Sequence, residues 1–165
     1  MKILVLSDSH GRVDAMKEAV RLEQPDLIMH LGDLVRDADA LDRRFPEIPL
    51  IRVPGNCDGT SRLAGVLVYQ TCGVKLFLCH GHQYGVKAGY YRATLAAREA
   101  GAQVLLFGHT HVQYCELYDG LWILNPGACG QGNLLSYGLI EAEEGQCVCS
   151  VVRKPWIRGD TDPDR

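Results

Sequence analysis

Five short apolar runs in this chain end in the same way, in a glycine accompanied by Asp, Asn or His. Lys2 to Ser7 is followed by Asp8-Ser9-His10-Gly11, Asp26 to Leu31 by Gly32-Asp33, and Leu50 to Val53 by Gly55-Asn56-Cys57-Asp58. Val74 to Cys79 is followed by His80-Gly81-His82, and Gln103 to Phe107 by Gly108-His109-Thr110-His111. Short apolar runs bounded by turn formers read as buried strands. Helical periodicity lies between the first three. Val13, Met16, Ala19, Val20 and Leu22 form a stripe closed by Pro25, and Asp37 to Phe45 reads as a second helix ended by Pro46. A βαβαβ order predicts parallel strands with helices packed on the sheet. In such a sheet ligands gather at the carboxyl ends of the strands, so the polar clusters are expected along one edge.

The second half changes pattern. Val66 to Thr71 and Val74 to Cys79 flank Cys72-Gly73, and Val112 to Tyr118 and Leu121 to Leu124 flank Asp119-Gly120. Ser136 to Ala142 and Gln146 to Val152 flank Glu143-Glu144-Gly145. All three read as hairpins, and Ala88 to Ala100 reads as a helix with Gly101 just past its end. The second half is expected to add antiparallel strands to the first, giving one α/β domain over 1–152 and a polar tail over 153–165. A length of 165 residues suits a single domain, and 47% hydrophobic with 22% charged residues excludes a disordered chain. No apolar run is long enough for a spanning helix. The start lacks a signal-peptide pattern, and seven Cys, an odd count, argue against a disulfide framework. The expected setting is therefore the cytoplasm, with no membrane. A net charge of −3 offers no footprint for nucleic acid.

Gathered at one edge, the strand ends present Asp8, His10, Asp33, Asn56, His80, His109 and His111. Carboxylates, an amide oxygen and imidazoles suit Mn²⁺, Fe²⁺, Co²⁺, Ni²⁺ or Zn²⁺. The set has no thiolate pair, which argues against a structural zinc site. Seven ligands are too many for one ion. With one carboxylate shared, they serve two ions, the arrangement of a two-metal hydrolase. Each motif alone is weak, Gly-Asp being an ordinary turn. Their conjunction at successive strand ends carries the reading.

In this order, and followed by Asn125-Pro126-Gly127, the motifs resemble those of the calcineurin-like metallophosphoesterases, more narrowly the small single-domain phosphodiesterases of bacteria and archaea. The resemblance runs from Met1 to about Val152. It implies a four-layer αββα sandwich of two mixed β-sheets flanked by helices. It implies one metal on Asp8, His10, Asp33 and His111 and a second on Asp33, Asn56, His80 and His109, with Asp33 bridging. The expected ions are two Mn²⁺, with Ni²⁺, Fe²⁺, Co²⁺ or Zn²⁺ as alternatives. A hydroxide between them would attack a phosphodiester in line. The catalytic set so implied is Asp33, Asn56, Cys57, Asp58 and His82, acting on a small-molecule phosphodiester. Two divalent ions reverse the local charge of Asp8 and Asp33, so the chain's acidity is no obstacle to an anionic substrate. Two alternatives stay open: a non-catalytic protein-interaction scaffold of the same fold, and a phosphomonoesterase or nucleotide pyrophosphatase using the same site. The apolar C-terminal strands also leave pairing with a second copy open.

Several positions depart from the pattern or sit beside it. Arg12 is read first as a surface residue and second as a phosphate contact, and His30 as a packed strand residue or a support for the site. Ala128 stands where relatives often carry Ser. Cys147 and Cys149 are expected on opposite faces of a strand, unsuited to chelation. Many superfamily members have His directly after the motif Asn, where it protonates the leaving group, whereas this chain has Cys57. An ordinary thiol beside Asp58 is a poor acid at neutral pH. Cys57→His is therefore expected to raise turnover of diesters with poor alkyl leaving groups more than of nitrophenyl diesters. Equal changes across a leaving-group panel would remove any role for this position.

Overall fold

The computed structural model describes residues 1–156. Two five-stranded mixed sheets lie face to face with helices on both outer faces. The first sheet contains β1 (Lys2–Leu6), β2 (Leu27–His30) and β3 (Leu50–Arg52), all parallel. Beyond β1 lie β9 (Leu134–Glu143) and β10 (Gln146–Pro155), antiparallel, so the sheet order is β10-β9-β1-β2-β3. The second sheet contains β4 (Val66–Thr71), β5 (Val74–Cys79), β6 (Val104–Leu106), β7 (Tyr114–Tyr118) and β8 (Leu121–Asn125), ordered β4-β5-β6-β8-β7. The second half thus builds its own sheet, and only its last hairpin returns to the first.

Alternation along the strands sorts the core into three. Ile3 and Val5 of β1 face the other sheet, where Leu76, Leu78, Val104 and Leu106 meet them. Leu4 and Leu6 face outward onto Ala15, Met16, Ala19 and Val20 of α1 (Val13–Glu23) and Leu41 of α2 (Val35–Arg44). Phe77, Cys79 and Leu105 face outward onto Ala93 and Ala97 of α3 (Tyr91–Glu99). This period of two with both faces covered explains why β1 reads as a nearly continuous apolar run. Among the described residues no helix is long and apolar enough to cross a membrane.

The hairpin ends follow their sequence. Cys72-Gly73, Asp119-Gly120 and Glu144-Gly145 all have positive φ at both positions, as a two-residue type I′ connection requires. Glu143, expected in a loop, instead ends β9. Strand β10 runs on to Pro155, pairing Arg153 with Ser136 and Pro155 with Leu134, and Trp156 is buried against the α1 side. The strand therefore takes the first residues of the expected tail, whose remainder, 157–165, lies outside the described residues. Cys147 and Cys149 both pack on the inter-sheet core. Residues two apart on a strand share a face, which corrects the expectation that they diverge. Helix α3 starts three residues later than expected, after Gly89 at φ 149°.

The inter-sheet core holds the two halves in register. Leu78 is fully buried there, and Leu78→Ala is expected to cost about 2–5 kcal/mol of folding free energy. Urea unfolding checks this through a lowered midpoint with an unchanged slope.

Candidate metal centre

The chain turns sharply at each strand end that carries a candidate ligand. Asp8, His10, Asp33, His109 and His111 all have positive φ, between 43° and 67°. Outside hairpin turns, the only other non-glycine residue of this kind among those described is Gln24, at a helix end. Each such position costs on the order of 1–3 kcal/mol and persists where surrounding contacts dictate it. Two glycines make the crowding possible. A Cβ on Gly55 would lie 2.1 Å from Asp33 Oδ1, and one on Gly108 would lie 2.0 Å from Ser7 Oγ and 2.6 Å from Asp8 Oδ2.

These turns bring the expected side chains together. Asp8, His10 and His111 form one group in which ligand atoms lie within 4.8 Å of one another, and Asp33, His80 and His109 form a second. Asp8 Oδ1 lies 3.1 Å from His111 Nε2, 3.9 Å from His80 Nε2 and 4.0 Å from His10 Nε2. Asp33 Oδ2 lies 3.4 Å from His80 Nε2 and 3.9 Å from His10 Nε2, so it stands between the two groups. Asn56 opens a short 3-10 turn, Asn56–Asp58, and places Oδ1 3.1 Å from His80 Nε2. His82 lies in a second such turn, exposed at the rim, its ring 5.5 Å from that of His80 and 6.1 Å from that of His109.

Both carboxylates are half committed. Asp8 Oδ2 accepts from Ser7 Oγ at 2.6 Å and from the His109 amide at 3.0 Å, whereas buried Asp8 Oδ1 has no hydrogen-bond partner. Asp33 Oδ1 accepts from the Cys57 amide at 2.9 Å, leaving Oδ2 facing the imidazoles. His80 is fully buried and its Nδ1 lies 2.7 Å from the Leu31 carbonyl, which only accepts. In the neutral ring Nδ1 thus carries the proton, and the Nε2 lone pair faces Asn56 Oδ1 and Asp33 Oδ2. Lone pairs converging on oxygen acceptors from buried side chains call for a cation, and an imidazole held by a backbone carbonyl is the usual support of a metal ligand. The donors present therefore fit divalent metal ions.

The ionisable groups feel one another. Burial raises the Asp8 carboxyl, but His111, His80 and Ser7 together outweigh it and hold it below the usual range. Its contact with Asp8 raises His111 against the opposing effect of burial. Burial, then the neighbouring His80, lowers His82 and His109. Desolvation and the nearby Asp33 and Asp58 carboxylates push the Cys57 thiol up. Cys57 is exposed, with Sγ 3.6 Å from Asn56 Nδ2.

The Asp58 carboxylate is spent on the backbone around the site. Its oxygens accept from the amides of Asp33 at 3.1 Å, Gly55 at 2.7 Å and Val35 at 2.7 Å, stapling the Asp33 and Asn56 loops together. Asn125 holds the other side: Nδ2 donates to the Gly108 carbonyl and Thr110 Oγ1, and Oδ1 accepts from the Gly127 amide. Arg12 borders the cavity beside Asp8 and His10 and donates to the Gly132 carbonyl at 3.2 Å, its guanidinium near the Trp156 ring. His30 supports the site. The Gly32 amide reaches its Nδ1 and its Nε2 lies 3.2 Å from Ser9 Oγ, while burial lowers the ring to about 4.

The sequence reading missed Ser9 and Asp37. Ser9 donates to Asp37 Oδ2 at 2.8 Å, and the Gly11 amide reaches the same oxygen at 2.6 Å. The His30–Ser9–Asp37 chain lies beneath the turn that carries His10. Asp37 sits in the first turn of α2, where a carboxylate is ordinary, so nothing in the pattern set it apart.

Residues 1–145 match the family model of the calcineurin-like phosphoesterase superfamily domain. The chain is similar to a probable metallophosphoesterase, YsnB, of Bacillus subtilis, with 32% identity over 131 residues covering 78% of this chain and 75% of the relative. It is also similar to phosphodiesterase YfcE of Escherichia coli, with 28% identity over 171 residues covering 86% and 88%. A crystal structure of a predicted phosphoesterase from Streptococcus pneumoniae superposes with a TM-score of 0.76 at 25% identity, covering 96% of this chain and 93% of that one.

The Asp58 staple sets the distance between two ligand loops. Asp58→Ala is expected to weaken metal binding by about 10- to 100-fold while the chain stays folded. Titration calorimetry of the metal-free variant checks this, and wild-type affinity would show that the loops hold themselves.

Proposed function

The chain belongs to the calcineurin-like phosphoesterase superfamily, and from that membership and the geometry of the centre we propose that it is a phosphodiesterase working with two divalent metal ions, Mn²⁺ in the first instance. The observation that carries the proposal is the split use of Asp8 and Asp33. Each ties one oxygen to protein donors and turns the other toward imidazoles, which makes two adjacent ligand groups joined through Asp33. Metal ions bound there supply an acidified water and positive charge that offsets the phosphoryl oxygens.

The chain's own residues do the rest. Asp33, whose Oδ2 lies 3.9 Å from His10 Nε2 and 3.4 Å from His80 Nε2, would be the residue shared by the two ions. His80 is held to one orientation by Leu31, and Asn56 adds a neutral oxygen beside it. Asp8 and His111 close the more open group, where His111 and His10 remain about two-fifths exposed and admit substrate from solvent. His82 stands at the opposite rim, positioned to meet a phosphoryl oxygen or the leaving group. Cys57 borders Asn56 and offers no imidazole to protonate an alkoxide, so diesters with acidic leaving alcohols are the favoured substrates. The full set of oriented ligands speaks for catalysis over a scaffold role, because nothing in protein binding requires a buried carboxylate oxygen to be left without a donor.

Chelator-treated protein is expected to bind about two equivalents of Mn²⁺ and to regain hydrolysis of bis(p-nitrophenyl) phosphate. Asp33→Asn is expected to lower that rate by more than about 100-fold. Binding of less than one equivalent with no hydrolysis would favour the scaffold. Faster turnover of p-nitrophenyl phosphate than of the diester would favour a monoesterase.

A further inference from the structure

A groove leads away from the metal centre past His111. A cavity of about 170 Å³ beside Asp8 and His10 and one of about 260 Å³ beside Arg153 share His111, Ala128 and Gln131 in their walls. The chain is acidic overall, yet among the described residues no carboxylate lines the outer cavity. A cavity of about 670 Å³ at the far ends of β1 and β9 has the opposite character, with Asp26, Glu141, Glu143 and Glu144 in its wall. Arg153 projects from β10 into the outer cavity, is exposed, and has no ion-pair or hydrogen-bond partner for its guanidinium among the described residues. Its neighbours Gln113 and Ser136 are fixed, Gln113 Nε2 donating to the Val152 carbonyl at 2.6 Å and Ser136 Oγ to the Pro126 carbonyl at 2.7 Å.

We propose that this groove is the subsite for one arm of the diester, and that Arg153 binds a second phosphate carried on that arm. The proposal rests on the phosphodiesterase reading and narrows it to substrates with two phosphates, one scissile and one terminal. A guanidinium without a partner among the described residues, in a wall whose described residues include no carboxylate, selects an oxyanion, and its planar fork matches phosphate oxygens. A terminal phosphate carries close to two charges at neutral pH, so an exposed guanidinium holds it more firmly than it holds a carboxylate. Ala128, in the wall of both cavities, puts only a methyl group at the passage between them. The arm then runs from the metal centre past His111 and Ala128 to Arg153.

Two chromogenic diesters test this: thymidine 5′-(p-nitrophenyl phosphate) and its 3′-phosphorylated form, each assayed with Mn²⁺ on the full chain. The wild type is expected to favour the 3′-phosphorylated probe by about tenfold or more in kcat/KM. Arg153→Gln is expected to bring that ratio close to one, and Arg153→Lys to leave an intermediate value. A wild-type ratio near one, or a ratio that survives Arg153→Gln, overturns the proposal. If neither probe is hydrolysed, the phosphodiesterase reading fails by itself. The subsite is then decided by calorimetry of thymidine 3′,5′-bisphosphate against thymidine 5′-monophosphate on the metal-loaded protein, where equal affinities overturn it and an Arg153-dependent preference supports it.

Discussion

The arrangement depends on carboxylate oxygens that are buried and deliberately left half paired. Asp8 and Asp33 leave water, and each recovers only part of the lost hydration from protein donors. A buried charge in that condition is costly unless another charge answers it. Here the answer comes from imidazoles on the opposite sheet. Asp8, His10, Asp33 and Asn56 follow strands of the first sheet, while His80, His109 and His111 follow strands of the second. The ligand set therefore straddles the seam between sheets. The hydrogen bonds that fix it also cross the seam: His80 Nδ1 to the Leu31 carbonyl, and the His109 amide to Asp8 Oδ2.

That seam explains the local expense. Five of the candidate ligands adopt left-handed backbone, a conformation the chain would not choose on its own. Gly55 and Gly108 bring backbone within reach of the two carboxylates, and any side chain at either position would collide with them. The cost is met by the inter-sheet core, whose aliphatic side chains hold the two sheets together. A cation bound across the seam would add its free energy to folding, because the unfolded chain offers no comparable site.

Much of this was legible in sequence because it rests on local periodicity. Ile3 and Val5 alternate with Leu4 and Leu6, the positive-φ turns announce themselves as Cys72-Gly73 and Asp119-Gly120, and the ligands repeat at strand ends beside glycine. What was not legible is what depends on long-range pairing. No local signal says that β9 returns to lie beside β1 or that β10 continues to Pro155. Nor does any reveal that the Asp58 carboxylate is consumed by three amides, or that Asp37 lies under the His10 turn. Both acids look like surface residues in one dimension. They acquire roles only when a second loop, distant in sequence, brings its amides to them.

The same reasoning separates the reacting groups from those that hold them. Groups that hold the site spend their hydrogen-bonding capacity on the chain: Asp58 on amides, Asn125 on Gly108 and Thr110, His30 on Gly32 and Ser9. Groups that face the centre keep capacity unspent, as Asp8 Oδ1, Asp33 Oδ2 and His80 Nε2 do. Asp8, Asp33 and Asp58 follow strand ends of the first sheet and are indistinguishable by residue type. Two keep an oxygen for the centre and the third has none to spare. The division of labour among them is set by which backbone amides happen to be within reach.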